Sequence, residues 1–147
     1  MPIIAVIDTN IWVSAFLNPH GHPARLVAAG KAGGLVVVSS PPLLEELMDV
    51  LLRPRIMKVR QTSAVEAEAF VRSVASVVRM VSVTGTLHLC RDPDDDVVLE
   101  TAVVGGATYV VSRDEDITRD VDLADQLTAH GISTITISRL LDLLPSS

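Results

Sequence analysis

The sequence is short of the residues that staple or clamp small proteins. Among its 147 residues there is one cysteine, Cys90, so no disulfide can form within the chain and no CxxC pair is present. The four histidines are scattered. Two of them, His20 and His22, fall in a loop punctuated by Pro19, Gly21 and Pro23, where exposure to solvent is expected; a zinc centre therefore lacks ligands. Aromatic residues make up 3%, which leaves Val, Leu and Ala to build the core. No apolar run approaches the roughly 20 residues that span a bilayer. The N-terminus has no basic segment followed by a long apolar stretch, so a cytoplasmic protein is expected. There is no GxGxxG or GxxxxGK[ST] loop for nucleotide phosphates, and no nucleophile elbow to support a Ser/His/Asp triad. The two lysines, Lys31 and Lys58, do not stand at the end of a late strand, where a phosphate-accepting receiver domain needs one.

What is present is an ordinary apolar balance, 48% hydrophobic and 20% charged, in a length that suits one domain spanning 1–147. The net charge of −6 argues against a broad basic surface for nucleic acid. The charges are uneven, however. Eleven of the 18 acids lie within 92–125, whereas four of the 12 basic residues, Arg53, Arg55, Lys58 and Arg60, lie in one short piece.

Apolar runs rich in β-branched residues predict buried strands at 3–7, 35–38, 107–112 and 133–137, with a further strand at 81–83. Between them the pattern is helical: 10–17, 23–31, 41–52, 64–80, a helix opened by Asp92-Pro93 and ended by Gly105-Gly106, one around 123–130, and one from Ser138 onward. Strand and helix alternate, so an α/β fold with a parallel sheet covered on both sides follows.

Two of these strands run straight into acids, Asp8 and Asp114-Glu115-Asp116. The helix opened by Pro93 begins with Asp94, Asp95 and Asp96. On the helix over 41–52, Glu46 borders the apolar face, while Glu45 and Asp49 point further out. In a parallel sheet the C-terminal strand ends and the following helix starts share one edge, so these acids can converge. Simple roles account for some of them: Asp92 as a helix cap, and Asp94 and Asp96 as solvated residues. Several carboxylates in one crevice repel one another unless a cation relieves them. Mg2+ or Mn2+ suits such oxygen donors, and such ions support phosphodiester cleavage.

These motifs, in this order, resemble the PIN-domain nucleases, of the kind found as the toxin half of bacterial toxin–antitoxin pairs. Val6-Ile7-Asp8-Thr9-Asn10 is similar to the family's first strand and acid. Ser40-Pro41-Pro42-Leu43-Leu44-Glu45-Glu46-Leu47 resembles the segment carrying its Glu, which falls on Glu46. Arg91-Asp92-Pro93-Asp94-Asp95-Asp96 resembles the Arg-Asp-Pro-x-Asp-Asn stretch and puts the third acid on Asp95, with Asp96 where Asn is usual. Val110-Val111-Ser112-Arg113-Asp114-Glu115-Asp116 resembles the closing Thr-x-Asp-x-Asp motif, with Ser112 for Thr and Arg113 where Gly is common. The resemblance implies a three-layer α/β/α fold with a central, mostly parallel sheet of about five strands. It implies Mg2+- or Mn2+-dependent endoribonuclease activity, with Asp8, Glu46, Asp95 and Asp114 holding metal and Asp116 as an auxiliary ligand. Thr9, Asn10, Ser112 and Asp92 would support those ligands. Arg53, Arg55, Lys58, Arg60 and Arg113 would meet the RNA backbone. A homodimer and a cognate antitoxin are the partners implied. Two other readings use the same residues: a PIN fold that only binds RNA or protein, and a metal-dependent DNA nuclease or phosphatase.

Overall fold

The computed structural model describes residues 2–18 and 21–144, except the side chains of His22, Asp114 and Thr118. His20 and the His22 side chain thus lie outside the described residues. In chain order the elements are β1 (Ile3–Ile7), α1 (Thr9–Leu17), α2 (His22–Lys31), β2 (Leu35–Ser39), α3 (Pro41–Leu51), α4 (Pro54–Arg60), α5 (Ala64–Val77), β3 (Val78–Met80), α6 (Pro93–Gly105), β4 (Tyr109–Val111), α7 (Asp114–Arg119), α8 (Val121–Ala129), β5 (Ser133–Ile135) and α9 (Ile137–Leu143).

The strands form one sheet in the order β3-β2-β1-β4-β5, and every pairing is parallel. Because side chains alternate along a strand, each central strand feeds two cores. Ala5, Ile7, Leu35, Val37 and Val111 join one, together with Phe16 of α1, Leu47 and Leu51 of α3, Val74 of α5 and Leu140 of α9. Val6, Val38 and Val110 join the other, with Leu99 and Ala102 of α6 and Leu127 of α8. Leu47, Leu51, Leu99, Leu127 and Leu140 are almost wholly buried, and each such burial stabilises the fold by about 1.5–3 kcal/mol. The result is the three-layer α/β/α arrangement expected from the alternation of elements.

Proline at the first helical positions starts α3, α4 and α6, where its missing N–H costs nothing. Asp92 caps α6 by accepting from the Asp94 N–H at 2.9 Å. At its other end α6 lies directly on β2: a Cβ placed on Gly105 would stand 2.3 Å from Val38 Cγ1.

Some elements depart from the pattern in the sequence. The third strand is residues 78–80, not 81–83, and α5 ends at Val77. This edge strand is defined by its pairing with Val37–Ser39, and the ladder reaches the expected segment only through the Val81 N–H, which donates to the Ser39 carbonyl at 2.9 Å. Helices α4 and α7 were not expected. Asp96, expected in solvent, is 7% exposed. Its Oδ1 accepts from the backbone N–H groups of Leu89 (3.0 Å) and Cys90 (2.8 Å). One helical turn on, Glu100 accepts from the N–H groups of Thr84 (2.6 Å) and Gly85 (3.1 Å). These two acids clasp the segment between β3 and α6, whose N–H groups beyond Val81 have no ladder of their own.

The chain leaves β1 toward β2 and β3, then returns to place β4 and β5 on the other side. The C-terminal ends of β1 and β4 therefore bound the crevice where open α/β sheets bind ligands.

Candidate active site

Asp8 is the first residue beyond β1 and the residue before α1. Its N–H donates to the Val111 carbonyl at 2.9 Å, so the β1–β4 ladder itself fixes where its carboxyl starts. A cavity of about 240 Å3 opens at this point. Its lining brings together Asp8 and Asn10 with Glu46 of α3, Asp92, Asp94 and Asp95 at the start of α6, Ser112 after β4, and Asp116 of α7. Val98, Val110 and Leu123 supply the apolar part of the wall. Asp114 begins α7, but its side chain lies outside the described residues.

Hydrogen bonds set the orientation of two of these acids. Thr9, 8% exposed, donates from Oγ1 to Glu46 Oε2 at 2.9 Å. Glu46 itself remains solvent-exposed while lining the cavity. Asn10 Nδ2 donates to Asp116 Oδ2 at 3.2 Å, and Arg113 Nε donates to the same oxygen at 3.1 Å. Ser112 is buried beside them.

The electrostatics divide the acids into two kinds. Burial, then the charges of Asp116 and Glu46, push the Asp8 carboxyl up from 3.8 to about 6, while the N–H groups of Asn10 and Thr9 pull the other way. Asp95 is pushed up to about 8 by burial, a hydrogen bond with the Asp120 carboxyl, and the charges of Asp120, Asp92 and Asp122. Burial also works against ionisation of Asp116, but the donors Arg113 and Asn10 outweigh it and hold this carboxyl below the usual range. Hydrogen bonding to Asp116 in turn raises the Arg113 guanidinium.

The donor set is made of carboxylate oxygens, which suit a hard divalent cation. Asp8 is the clearest case: a half-buried acid raised by the charges of two others, whose ionised form a cation would relieve. As placed, no three of the described acids gather closely enough to hold one ion among them, and Asp114 is the acid that the motif would add.

Two charged lining residues have no place in the sequence motifs, Arg119 and Asp120. Asp120 caps α8, accepting from the Leu123 N–H at 3.1 Å, and its carboxyl also meets Asp95. An acid directly before the apolar pattern of 121–127 is the signal that marks it as a cap; nothing in the sequence marks it as a partner of Asp95.

The basic residues do not act as one patch. Arg53, Arg55 and Arg113 line a second cavity, of about 350 Å3, that shares Asp8, Asn10 and Glu46 with the first. Lys58 is exposed and outside that lining. Arg60 is used by the fold: its Nη1 donates to the Phe16 carbonyl at the end of α1, and its Cζ lies 4.3 Å from the centre of the Phe16 ring.

Residues 5–116, from β1 to Asp116, match the family described as PIN domain. Over 115 residues the chain is 27% identical to the uncharacterized protein MJ1680 of Methanocaldococcus jannaschii, an alignment that covers 78% of this chain and 73% of that protein.

Proposed function

We propose, from the premise that the chain belongs to the PIN domain family, that it is a Mg2+- or Mn2+-dependent endoribonuclease. PIN domains are in general nucleases, which hydrolyse phosphodiester bonds. The observation that carries the reading is Asp8: an acid at the switch point of the sheet, raised to about 6 by burial and by Asp116 and Glu46, and bordered by a groove lined with three arginines. Asp8, Glu46, Asp95, Asp114 and Asp116 are the residues proposed to hold the cation. When bound, a hard divalent cation would supply charge neutralisation on the phosphodiester and lower the pKa of a water so that, once deprotonated, it can attack phosphorus.

The chain's own groups prepare that site. Thr9 holds Glu46 Oε2 toward it. Asn10 and Arg113 keep Asp116 ionised and aimed. Burial and the hydrogen bond and charge of Asp120 raise Asp95 to about 8, and Asp95 must lose its proton to act as a ligand. Arg119 places a positive charge at the edge of the same cavity.

The test is cleavage of single-stranded RNA, single-stranded DNA and a phosphomonoester by the purified protein with Mg2+ or Mn2+. RNA cleavage that disappears in EDTA and falls at least about a hundredfold in Asp8→Asn and Asp95→Asn is expected. Absence of RNA cleavage by the wild type, or unaltered cleavage by Asp8→Asn, overturns the reading. Cleavage of DNA alone selects a deoxyribonuclease. The role of toxin, with an antitoxin docked on the helices and a homodimer as partners, is supported by the resemblance of the four motifs. Growth arrest on expression, relieved by the product of an adjacent reading frame, is its test.

A further inference from the structure

We propose that the second cavity is a nucleotide subsite. It seats the nucleoside next to the scissile phosphate, while its arginines hold the neighbouring phosphate. The inference rests on the nuclease reading for its substrate and on separate residues for its argument.

Its position comes first. The cavity lies between α1, α3, the start of α4 and the turn before α7, and it shares Asp8, Asn10 and Glu46 with the acidic cavity. A strand whose phosphodiester lies at Asp8 therefore continues into it without leaving the surface. The volume of about 350 Å3 falls in the range of roughly 300–1,000 Å3 typical of small-molecule sites.

Its chemistry is the second point. Val13, Val50 and Ile56 contribute an apolar surface, and Arg53, Arg55 and Arg113 contribute three positive charges. In a chain of net charge −6, three guanidinium groups against the two carboxyls of the lining, Asp8 and Glu46, give this cavity a positive excess that suits a phosphate backbone. Two of them follow from one local device: Pro54 opens α4, so Arg53 stands at its cap and Arg55 in its first turn, both exposed. The third, Arg113, is anchored through Nε on Asp116 at 3.1 Å, with Glu115 at 3.6 Å, which fixes it at the junction of the two cavities.

The third point concerns what the subsite does not read. The neutral polar side chains in its lining direct donors to the protein: Thr9 to Glu46, Asn10 to Asp116, and Ser14 Oγ to the Asn10 carbonyl at 3.0 Å. Base edges are told apart by hydrogen bonds from such groups. With Arg53 and Arg55 committed to phosphate, the remaining contact is apolar and tolerates any base, so the nucleotide in this subsite is bound with little preference for its identity.

The experiment compares wild type, the double variant Arg53→Gln/Arg55→Gln, and Lys31→Gln, whose charge lies in the last turn of α2 outside both cavities. Binding of labelled oligo(U) and oligo(A) hexamers is measured in EDTA across a salt series, and cleavage kinetics are measured with Mg2+. The double variant is expected to bind about tenfold more weakly, with a salt slope smaller by about 1.4, the value for two phosphate contacts on a single strand. Its KM rises and its kcat stays within about threefold, because the lost contacts hold ground state and transition state alike. Lys31→Gln matches wild type, and the two hexamers bind within about threefold of each other. A double variant indistinguishable from Lys31→Gln in affinity and slope overturns the subsite even where wild type cleaves RNA. A tenfold preference between the hexamers overturns the claim of base tolerance. Arginine-dependent binding with no cleavage by wild type leaves the subsite standing and overturns the nuclease reading instead.

Discussion

Asn10 Nδ2 donates to Asp116 Oδ2 across 3.2 Å, joining the first turn of α1 to the first turn of α7 over 106 residues of sequence. With Arg113 on the same oxygen, this contact keeps Asp116 charged, and that charge is part of what raises Asp8. The site thus holds one acid ionised and makes its neighbour harder to ionise.

Asn10→Ala removes one of the two donors on Asp116. Loss of a hydrogen bond that orients a metal-binding carboxylate lowers activity by about 10–100-fold. The expected result is such a fall in cleavage rate with Mg2+, with an unchanged far-UV spectrum. Activity within twofold of wild type would show that Arg113 alone suffices to aim Asp116.

In EDTA, stability should fall as pH rises from about 4 to about 8. The folded-state values of Asp8 (about 6) and Asp95 (about 8) both lie above the ordinary 3.8, so across this window the folded chain binds more protons than the unfolded chain. Unfolding free energy then decreases with pH and levels off above the higher value. Asp116, Asp96 and Glu100 shift the other way; their contribution is present above the ordinary carboxylate range and is lost in stronger acid. A melting temperature higher at pH 5 than at pH 8 is expected, with Asp8→Asn and Asp95→Asn each flattening the profile. Equal melting temperatures at the two pH values would contradict the shifts.

Gly105→Ala puts a methyl group where Val38 Cγ1 stands 2.3 Å away. Overpacking of this kind costs about 1–3 kcal/mol, or a fall of roughly 2–12 °C in melting temperature for a chain of this size. A thermal melt of the variant checks this; an unchanged melting temperature would mean that α6 can slide off β2 at no cost.

Glu100→Ala unclasps the segment before α6 by removing the acceptor for the Thr84 and Gly85 N–H groups. Hydrogen exchange at those two amides should accelerate; both residues are exposed, so water takes up the freed N–H groups and the loss in stability is about 0.5–1.5 kcal/mol. Asp96→Asn keeps an acceptor oxygen for the Leu89 and Cys90 N–H groups and is expected to preserve protection there, whereas Asp96→Ala is not. Exchange rates identical in all three variants would place the restraint elsewhere.

The legible parts of this protein are those with local causes. An apolar run ending in Asp8 is a buried strand end in any α/β arrangement, and Pro93 after Asp92 starts a helix wherever it occurs, so β1, the start of α6 and the parallel sheet could be read directly. The helical wheel put Glu46 at the border of its apolar face, and it lines the cavity. Local pattern gives way where a neighbour decides. Residues 78–80 continue an apolar helical pattern, yet their pairing with β2 makes them a strand.

The sequence by itself determined which residues could bear the chemistry: acids at strand ends and helix starts, because hydrophobic period and capping preference are properties of short segments. Only the tertiary structure decided how those residues are used. It buried Asp96 against backbone N–H groups, paired Asp95 with Asp120, turned Arg60 into the cap of α1, and left Arg53 and Arg55 beside Asp8. Charge carries no periodicity that tells a side chain which partner it will meet; that depends on which elements the sheet order sets side by side.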